Sequence, residues 1–329
     1  MCPTATLTEE NPVNPTFGRR KKLLASFGIA VVAAAGLTAC SRGEGDAESG
    51  TEGSGTDTSS VAALGFGDAD TLLALGIQPT VVAPFTPTDV NDKGVGPWSE
   101  DLFTGPAPVV VQNLGQGMTA EAVEQVSSAN PTQIVAINQA VDDQAKKDLE
   151  AIAPVATHSD EYDDWSIPWD VQVREVAEAV DKSEEGDKLI EDTKKAFEDY
   201  RNAHPEIEGQ KAAIALPYEG RLGIYTEGDG RGAFLTELGY EIPDDLQAAD
   251  EGSFFMDLSP EKYSMLDELD VLYILEYEGQ ENEVRDNEAF KNLNVVKDDK
   301  VRYLKQEVGN AMSMPNPVTI PWALDKFAE

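Results

Sequence analysis

Among the side chains that commonly carry chemistry, this chain is rich in carboxylates and poor in imidazoles and thiols, with 61 Asp and Glu, two His and two Cys. A metal site needing two or three imidazoles cannot easily be assembled from His158 and His204 alone. The sequence contains neither HExxH nor GxSxG, so the usual zinc-protease and serine-hydrolase signals are missing. Two of the carboxylates could serve as acid and base in a glycan or ester hydrolase, but in a chain this acidic most form a solvated face. No catalytic residue and no metal ligand is therefore assigned. Gly228-Asp229-Gly230-Arg231-Gly232-Ala233 satisfies GxGxxA, yet the helix that follows reaches only Gly239; the stretch reads as a turn rather than a dinucleotide loop.

Aromatic and basic residues beside turn signals say more. Trp98 follows Gly96-Pro97, Trp165 and Trp169 flank Ile167-Pro168, and Tyr218 follows Leu216-Pro217. Tyr225 and Tyr277 lie in or just after strands of the C-terminal half, and Asn138 follows the strand candidate Ile134 to Ile137. Open α/β sheets bind ligands at the carboxyl ends of their strands, and clefts between lobes are often walled by aromatic side chains. Each aromatic could equally pack a core. Arg221 and Arg231 could anchor an anionic ligand oxygen or pair with a nearby carboxylate.

The elements that must position these residues are those of an α/β protein with mainly parallel sheets. Strand candidates are Thr80 to Ala83, Val109 to Val111, Ile134 to Ile137, Ala212 to Leu216 and Val271 to Leu275. Asp68 to Leu75 reads as a helix stopped by Gly76, and Ala120 to Val126 as another. Val173, Val176, Ala177 and Val180 recur at helical spacing. Ser183 then opens a helix that runs to His204, where Pro205 stops it, with Leu189, Ile190, Thr193, Phe197 and Tyr200 along one stripe. At about 1.5 Å per residue it spans roughly 33 Å, the length of a strut between two lobes.

A repeated unit supports two lobes. Thr119-Ala120-Glu121 and Ser259-Pro260-Glu261 each open a helical stretch before a strand, with a hydroxyl residue at the N-cap and a glutamate in the first turn. A first-turn glutamate is also simply good helix chemistry, because it complements the dipole.

Before the domain comes an export signal. Arg19 to Lys22 are basic, Leu23 to Ala39 are small and apolar, and Leu37-Thr38-Ala39-Cys40 places a cysteine at the cleavage point. The tetrapeptide resembles a bacterial lipobox, which makes Cys40 the site of lipid attachment and residues 1–39 the removed signal. A disulfide with Cys2 would require the signal to be retained and folded back, and the run is short for a spanning helix. Sec and twin-arginine export both remain open. Residues 40–60 are Gly, Ser, Thr, Asp and Glu with almost no apolar side chain, a flexible acidic tether. Removing the signal leaves 21 basic against 59 acidic side chains, a balance of −38 compared with −36 for the whole chain. Such a charge effectively excludes nucleic-acid binding and disfavours a polyanionic ligand.

In order along the chain, Gly67 to Gly76, Gly94-Val95-Gly96-Pro97-Trp98, Asn130 to Val135, Arg231 to Gly239, Leu258-Ser259-Pro260-Glu261 with Leu266 to Leu272, and Ile320 to Asp325 resemble the lipoprotein substrate-binding proteins of iron–siderophore ABC importers. The resemblance covers Val61 to Phe327. It implies two Rossmann-like α/β lobes, 61–182 and 205–329, joined by a single long helix at 183–204, with the ligand in the cleft between them. It implies a monomer on the outer face of the cell membrane, held by the lipid on Cys40, that delivers a ferric siderophore to a permease. Glu121 and Glu261 would dock the permease. Trp98 and Arg231 match motif positions, while Asn138, Tyr218, Arg221, Tyr225 and Tyr277 complete the ligand-contact candidates by strand-end location. No cofactor is implied, because the iron chelate is cargo. The acidic, aromatic-rich chain suits a neutral or cationic ferric hydroxamate better than a catecholate; haem or cobalamin is the alternative cargo, and a membrane-anchored hydrolase the alternative class.

Overall fold

The computed structural model describes residues 60–86, 90–112, 114–248 and 253–327. The signal, Cys40 and the tether up to residue 59 lie outside them. Among the described residues there are two five-stranded sheets.

The first sheet is wholly parallel, in the order β3-β2-β1-β4-β5. Its strands are β1 Val61–Ala63, β2 Val81–Val82, β3 Val109–Val110, β4 Gln133–Ala136 and β5 Val155–Thr157. All three residues of β1 are fully buried, because a central parallel strand is covered on both faces. Val61 and Ala63 pack with Leu72 and Val176, on helices α1 (Asp68–Ala74) and α4 (Trp169–Ala179). Ala62 packs on the other side with Val126 and Leu149, on α2 (Ala120–Ser128) and α3 (Asp143–Glu150). The four apolar residues expected on one helical face, Val173, Val176, Ala177 and Val180, are all buried, the last three in this core. Gly76, expected as a helix stop, follows α1 with φ +79°, a conformation that favours glycine.

The second sheet has the order β10-β9-β6-β7-β8, with β6 Ala212–Tyr218, β7 Arg221–Tyr225, β8 Phe255–Leu258, β9 Val271–Leu275 and β10 Val301–Leu304. Here the expectation of mainly parallel pairing needs correction. β6, β9 and β10 run parallel, but β6, β7 and β8 form an antiparallel meander. The cause is a two-residue hairpin at Glu219-Gly220, both at positive φ (+47° and +72°), the backbone twist that suits tight hairpins. β6 also runs past the Leu216 boundary read from the sequence. Pro217 pairs with Leu222 of β7 beyond the last residue in register with β9, Ala215, a position where a proline costs no ladder hydrogen bond to that neighbour.

Helices α5 (Ser183–Ala203), α6 (Gly230–Glu237), α10 (Gln306–Ser313) and α11 (Thr319–Phe327) cover one face of this sheet, and a 3-10 helix (Pro260–Glu268) with the short helices α7 (Glu281–Asp286), α8 (Glu288–Lys291) and α9 (Asn294–Lys297) covers the other. The 3-10 helix departs from the repeat read in the sequence. Thr119 accepts a hydrogen bond from the Ala122 N–H at 3.2 Å as an N-cap, whereas Ser259 makes no such side-chain cap.

α5 enters both cores. Leu189 packs against the first, Phe197, Ala196 and Tyr200 belong to the second, and Ile190 and Thr193 are buried on the same stripe. Near its start Gly186 crosses α4 so closely that a Cβ there would lie 2.4 Å from the Ala177 methyl. A helix gripped by two cores and pressed onto a neighbour is stiff along its length. Among the described residues, no helix is long and apolar enough to cross a membrane.

Candidate ligand-binding site

A shallow crevice opens at the carboxyl ends of β1 and β2. Its walls include Phe85, Trp98 and Val90 from the first lobe, and Asn310 and Met314 from α10 and the segment after it. Phe85 is 39% exposed, a large value for an apolar ring, and meets Phe66 edge to face at 5.5 Å. Trp98 lies against Gly96, where a Cβ would fall 2.4 Å from the indole, and meets Trp322 of α11 edge to face at 5.7 Å. The mixture is one of aromatic walls with a few polar atoms, a pattern common to small-molecule pockets.

Two buried carboxylates lie beneath it, of which Asp70 lines the crevice and Asp68 sits behind. Asp68 accepts from the backbone N–H groups of Gly65 (3.1 Å) and Ile137 (2.8 Å) and from Gln172 Nε2 (2.8 Å). It thereby ties the ends of β1 and β4 to α4. Burial pushes its carboxyl up to about 6, with these hydrogen bonds opposing the shift. Asp70 accepts from Ser99 Oγ and, across the lobes, from Asn316 Nδ2 at 3.2 Å. It too is raised, chiefly by burial. The Trp98 indole N–H is buried and turned toward Asp70 but stays outside normal hydrogen-bond geometry. Asn316 also caps α11, accepting from the Val318 and Thr319 N–H groups at 2.9 and 3.0 Å. One buried amide thus fixes the last helix and joins it to the first lobe.

Of the residues singled out by sequence, the structure places Trp98 in the crevice wall and Asn138 just behind it. The Asn138 side chain is buried, donates to the Phe66 carbonyl at 3.1 Å and reaches Met314 Sδ at 3.8 Å. Its Oδ1 is buried without a hydrogen-bond partner. The remaining candidates gather on the second sheet. Cross-strand register puts Tyr218, Arg221, Tyr225, Phe255 and Asp257 on one sheet face. Tyr218 donates its hydroxyl to Asp257, and Arg221 makes a two-pronged pair with the same carboxylate. Arg231 makes the second such pair, Nε and Nη2 to Asp229 at 2.7 and 2.8 Å, while its guanidinium lies 3.5 Å from the centre of the Tyr225 ring. Tyr277 is half-buried beyond β9, its backbone N–H on Glu281 at 3.2 Å.

Electrostatics follow from these contacts. Burial opposes the charge on Arg231, but Asp229 and Tyr225 outweigh it and hold the guanidinium above its ordinary value. Burial pushes Tyr225 up to about 12, and Tyr218 is raised by burial and then by its bond to Asp257. Both tyrosines are neutral phenols at physiological pH. The glycine-rich stretch is the N-terminus of α6. Asp229 caps it through the Arg231 N–H at 2.8 Å, Gly232 lies where a Cβ would fall 2.0 Å from the Thr226 carbonyl oxygen, and Gly230 where one would fall 2.6 Å from that of Met312. The glycines serve close backbone approach, consistent with a turn rather than a phosphate loop.

Glu121 and Glu261 are both exposed, each in the first turn of its helix. The Ser259 hydroxyl, with a smaller contribution from Arg221, holds the Glu261 carboxyl below its usual range. Sequence reasoning missed Phe85, Asn310, Met314 and the carboxylates of Asp70, Asp229 and Asp257. Phe85 was within reach of the strand-end rule, since it follows β2 after a proline. Asn310 and Met314 reach the crevice only through the packing of α10.

Two α/β lobes held by one helix, with an aromatic crevice at their strand ends, define a solute-binding protein rather than an enzyme. The chain belongs to the periplasmic binding protein family, which matches residues 61–308. It is 26% identical over 265 residues to the Fe(3+)-citrate-binding protein YfmC of Bacillus subtilis, covering 78% of this chain and 76% of that protein. A periplasmic solute-binding protein from Mycobacterium smegmatis superposes with a TM-score of 0.70 at 25% identity, over 81% of this chain and 89% of that one. The iron-uptake ABC transporter substrate-binding protein PiaA of Streptococcus pneumoniae does so at 0.65 and 26%, over 81% and 90%; its complex with ferrichrome gives 0.66 and 24%, over the same shares. The fold is that of the substrate-binding proteins of iron-uptake ABC transporters.

Proposed function

We propose that this protein captures a ferric siderophore of the hydroxamate type in the crevice between its lobes, 61–182 and 205–329, and delivers it to an ABC importer permease. The observation that carries the reading is the state of its arginines. Among the described residues, no Arg or Lys lines the crevice, and Arg221 and Arg231 are each clasped by a carboxylate. An aromatic crevice without a spare cation favours a neutral chelate, whose apolar shell it can stack against. It disfavours a multiply anionic catecholate or citrate, which needs several charge-assisted hydrogen bonds. Ferrichrome, a neutral ferric trihydroxamate, is the ligand of the PiaA complex, whereas YfmC carries the name of a ferric-citrate binder.

In this reading Cys40 bears the lipid anchor, the tether lets the domain reach the permease in the same membrane, and α5 keeps the lobes at a fixed spacing. Glu121 and Glu261 fix docking orientation as much as affinity, since charges at an interface rim steer encounter. The experiment is a titration following tryptophan fluorescence, with ferrichrome, ferric citrate, a ferric catecholate, haem and cobalamin as ligands. Saturable quenching is expected with ferrichrome at lower concentration than with any other. Failure of every iron chelate to saturate overturns the reading.

A further inference from the structure

One motif is built twice on one face of the β6-β7-β8 meander, part-exposed at the hairpin end and largely buried at the other, where Tyr225 belongs to the core. Each copy has a tyrosine, an arginine and an aspartate: Tyr218, Arg221 and Asp257 at the hairpin end, Tyr225, Arg231 and Asp229 at the other end of β7. Phe255 stands between them, 6.1 Å from the Tyr218 ring and 6.3 Å from the Tyr225 ring, edge to face in both cases. Gly223 makes room for it, since a Cβ there would fall 3.0 Å from the Phe255 ring. The result is a strip of three aromatic rings flanked by two arginines whose charge is cancelled in place.

The strip begins where the crevice wall ends. Gly230, between Asp229 and Arg231, is pressed onto the Met312 and Ser313 carbonyls at the end of α10. The next residue, Met314, lines the crevice. An arginine facing such a site with its fork unoccupied would be a strong anchor for carboxylate or catecholate oxygens. Here both forks are filled.

We infer that Asp229 and Asp257 are specificity-determining residues, which occupy Arg231 and Arg221 and thereby turn an anion-binding surface into a neutral wall that accepts uncharged iron chelates and refuses anionic ones. The inference rests on the functional reading above. It assigns the discrimination against anionic cargo to two carboxylates rather than to the shape of the crevice. The arginines remain useful when paired, because a guanidinium held flat over Tyr225 extends the aromatic surface. The negative charge of the whole chain, expected from the sequence to disfavour a polyanion, adds little to this local effect, since at physiological salt exposed charges farther away than about 8 Å are largely screened.

The test compares ferrichrome with ferric citrate and a ferric catecholate on the lipid-free domain and on Asp257→Asn, Asp229→Asn and the double variant Asp257→Asn with Arg221→Gln. Asp257→Asn lies at a half-exposed position and is expected to fold, so it carries the test even if Asp229→Asn does not. Freeing one arginine should tighten binding of an anionic chelate about tenfold, the worth of one charge-assisted contact, and shift the ratio of anionic-chelate to ferrichrome affinity in the same direction. Replacing Arg221 as well should return the anionic chelate to its original affinity, which a general loosening of the fold would not do. Unchanged affinity for both anionic chelates in the Asn variants, with ferrichrome still bound, overturns the inference and leaves the functional reading standing. If the unaltered domain fails to bind ferrichrome, the functional reading falls before any variant is made.

Discussion

In the first lobe Asp68 and Asp70 are buried and take their hydrogen bonds from neutral donors; in the second lobe Asp229 and Asp257 each clasp an arginine. The first pair is desolvated and raised, which makes it costly in charge but precise in position. Backbone N–H groups at strand ends are obligatory donors, and a carboxylate with several acceptor sites can satisfy more of them at once than a neutral side chain can. The second pair spends its charge on guanidinium groups, Asp257 at a partly exposed site and Asp229 at a largely buried one. Buried carboxylates therefore fix the backbone around the crevice, while paired ones set the charge of the adjoining wall.

The comparison breaks most visibly at Asp68. Asp68→Ala leaves the Gly65 and Ile137 N–H groups and the Gln172 amide without their shared acceptor, and is expected to cost about 4 kcal/mol in urea unfolding. A loss below about 1 kcal/mol would show that the carboxylate is not the tie between β1, β4 and α4.

The pH dependence sharpens the same point. A carboxyl whose folded value is raised to about 6 from 3.8 favours folding when protonated. Its contribution is fully present below about pH 4 and is lost as pH rises through about 6, on the order of 3 kcal/mol in all. Asp70 acts with the same sign. Carbon-13 titration of the Asp68 carboxyl should give a midpoint near pH 6; a midpoint near 4 would remove the contrast between the lobes.

In the second lobe the backbone is the more sensitive target. Gly232→Ala drives a Cβ into the Thr226 carbonyl and should destabilise by about 2 kcal/mol, with loss of the cap that holds Arg231 against Asp229. A stability equal to that of the parent would show that the loop can shift. The smallest effect is expected at the hairpin end. Arg221 and Asp257 are about 40% exposed, and exposed ion pairs contribute little to stability. Arg221→Gln should therefore leave thermal stability almost unchanged; a large drop would mean that the pair holds the meander together instead of tuning its charge.

These contrasts were unequally legible in the sequence. α5 could be read from Ser183 to Pro205 because helical periodicity, a start signal and a proline stop coincide there. β9 could be read because Val271 to Leu275 is continuously apolar. β1, the most buried strand, is only three small residues, Val61 to Ala63, and carries too little pattern to stand apart from its neighbours. The meander was hidden because Pro217 and Gly220 suggest an end to the strand, when they mark its hairpin. Trp98 and Arg231 were found by motif position, but the neighbouring Asp70 and the paired Asp229 were lost among 61 acidic residues. Which carboxylate is buried, and which is paired, is set by tertiary contacts.

The central claim is that a neutral iron chelate sits between the aromatic first-lobe wall and the charge-cancelled second-lobe strip. The most direct measurement is a crystal structure of the domain grown with ferrichrome, with iron located by its anomalous scattering. The account predicts one iron, bound through its chelator within the crevice beside Phe85, Trp98 and Met314, with Arg221 and Arg231 still paired to Asp257 and Asp229. Iron outside the crevice, or arginines released from their aspartates to hold the ligand, would contradict it.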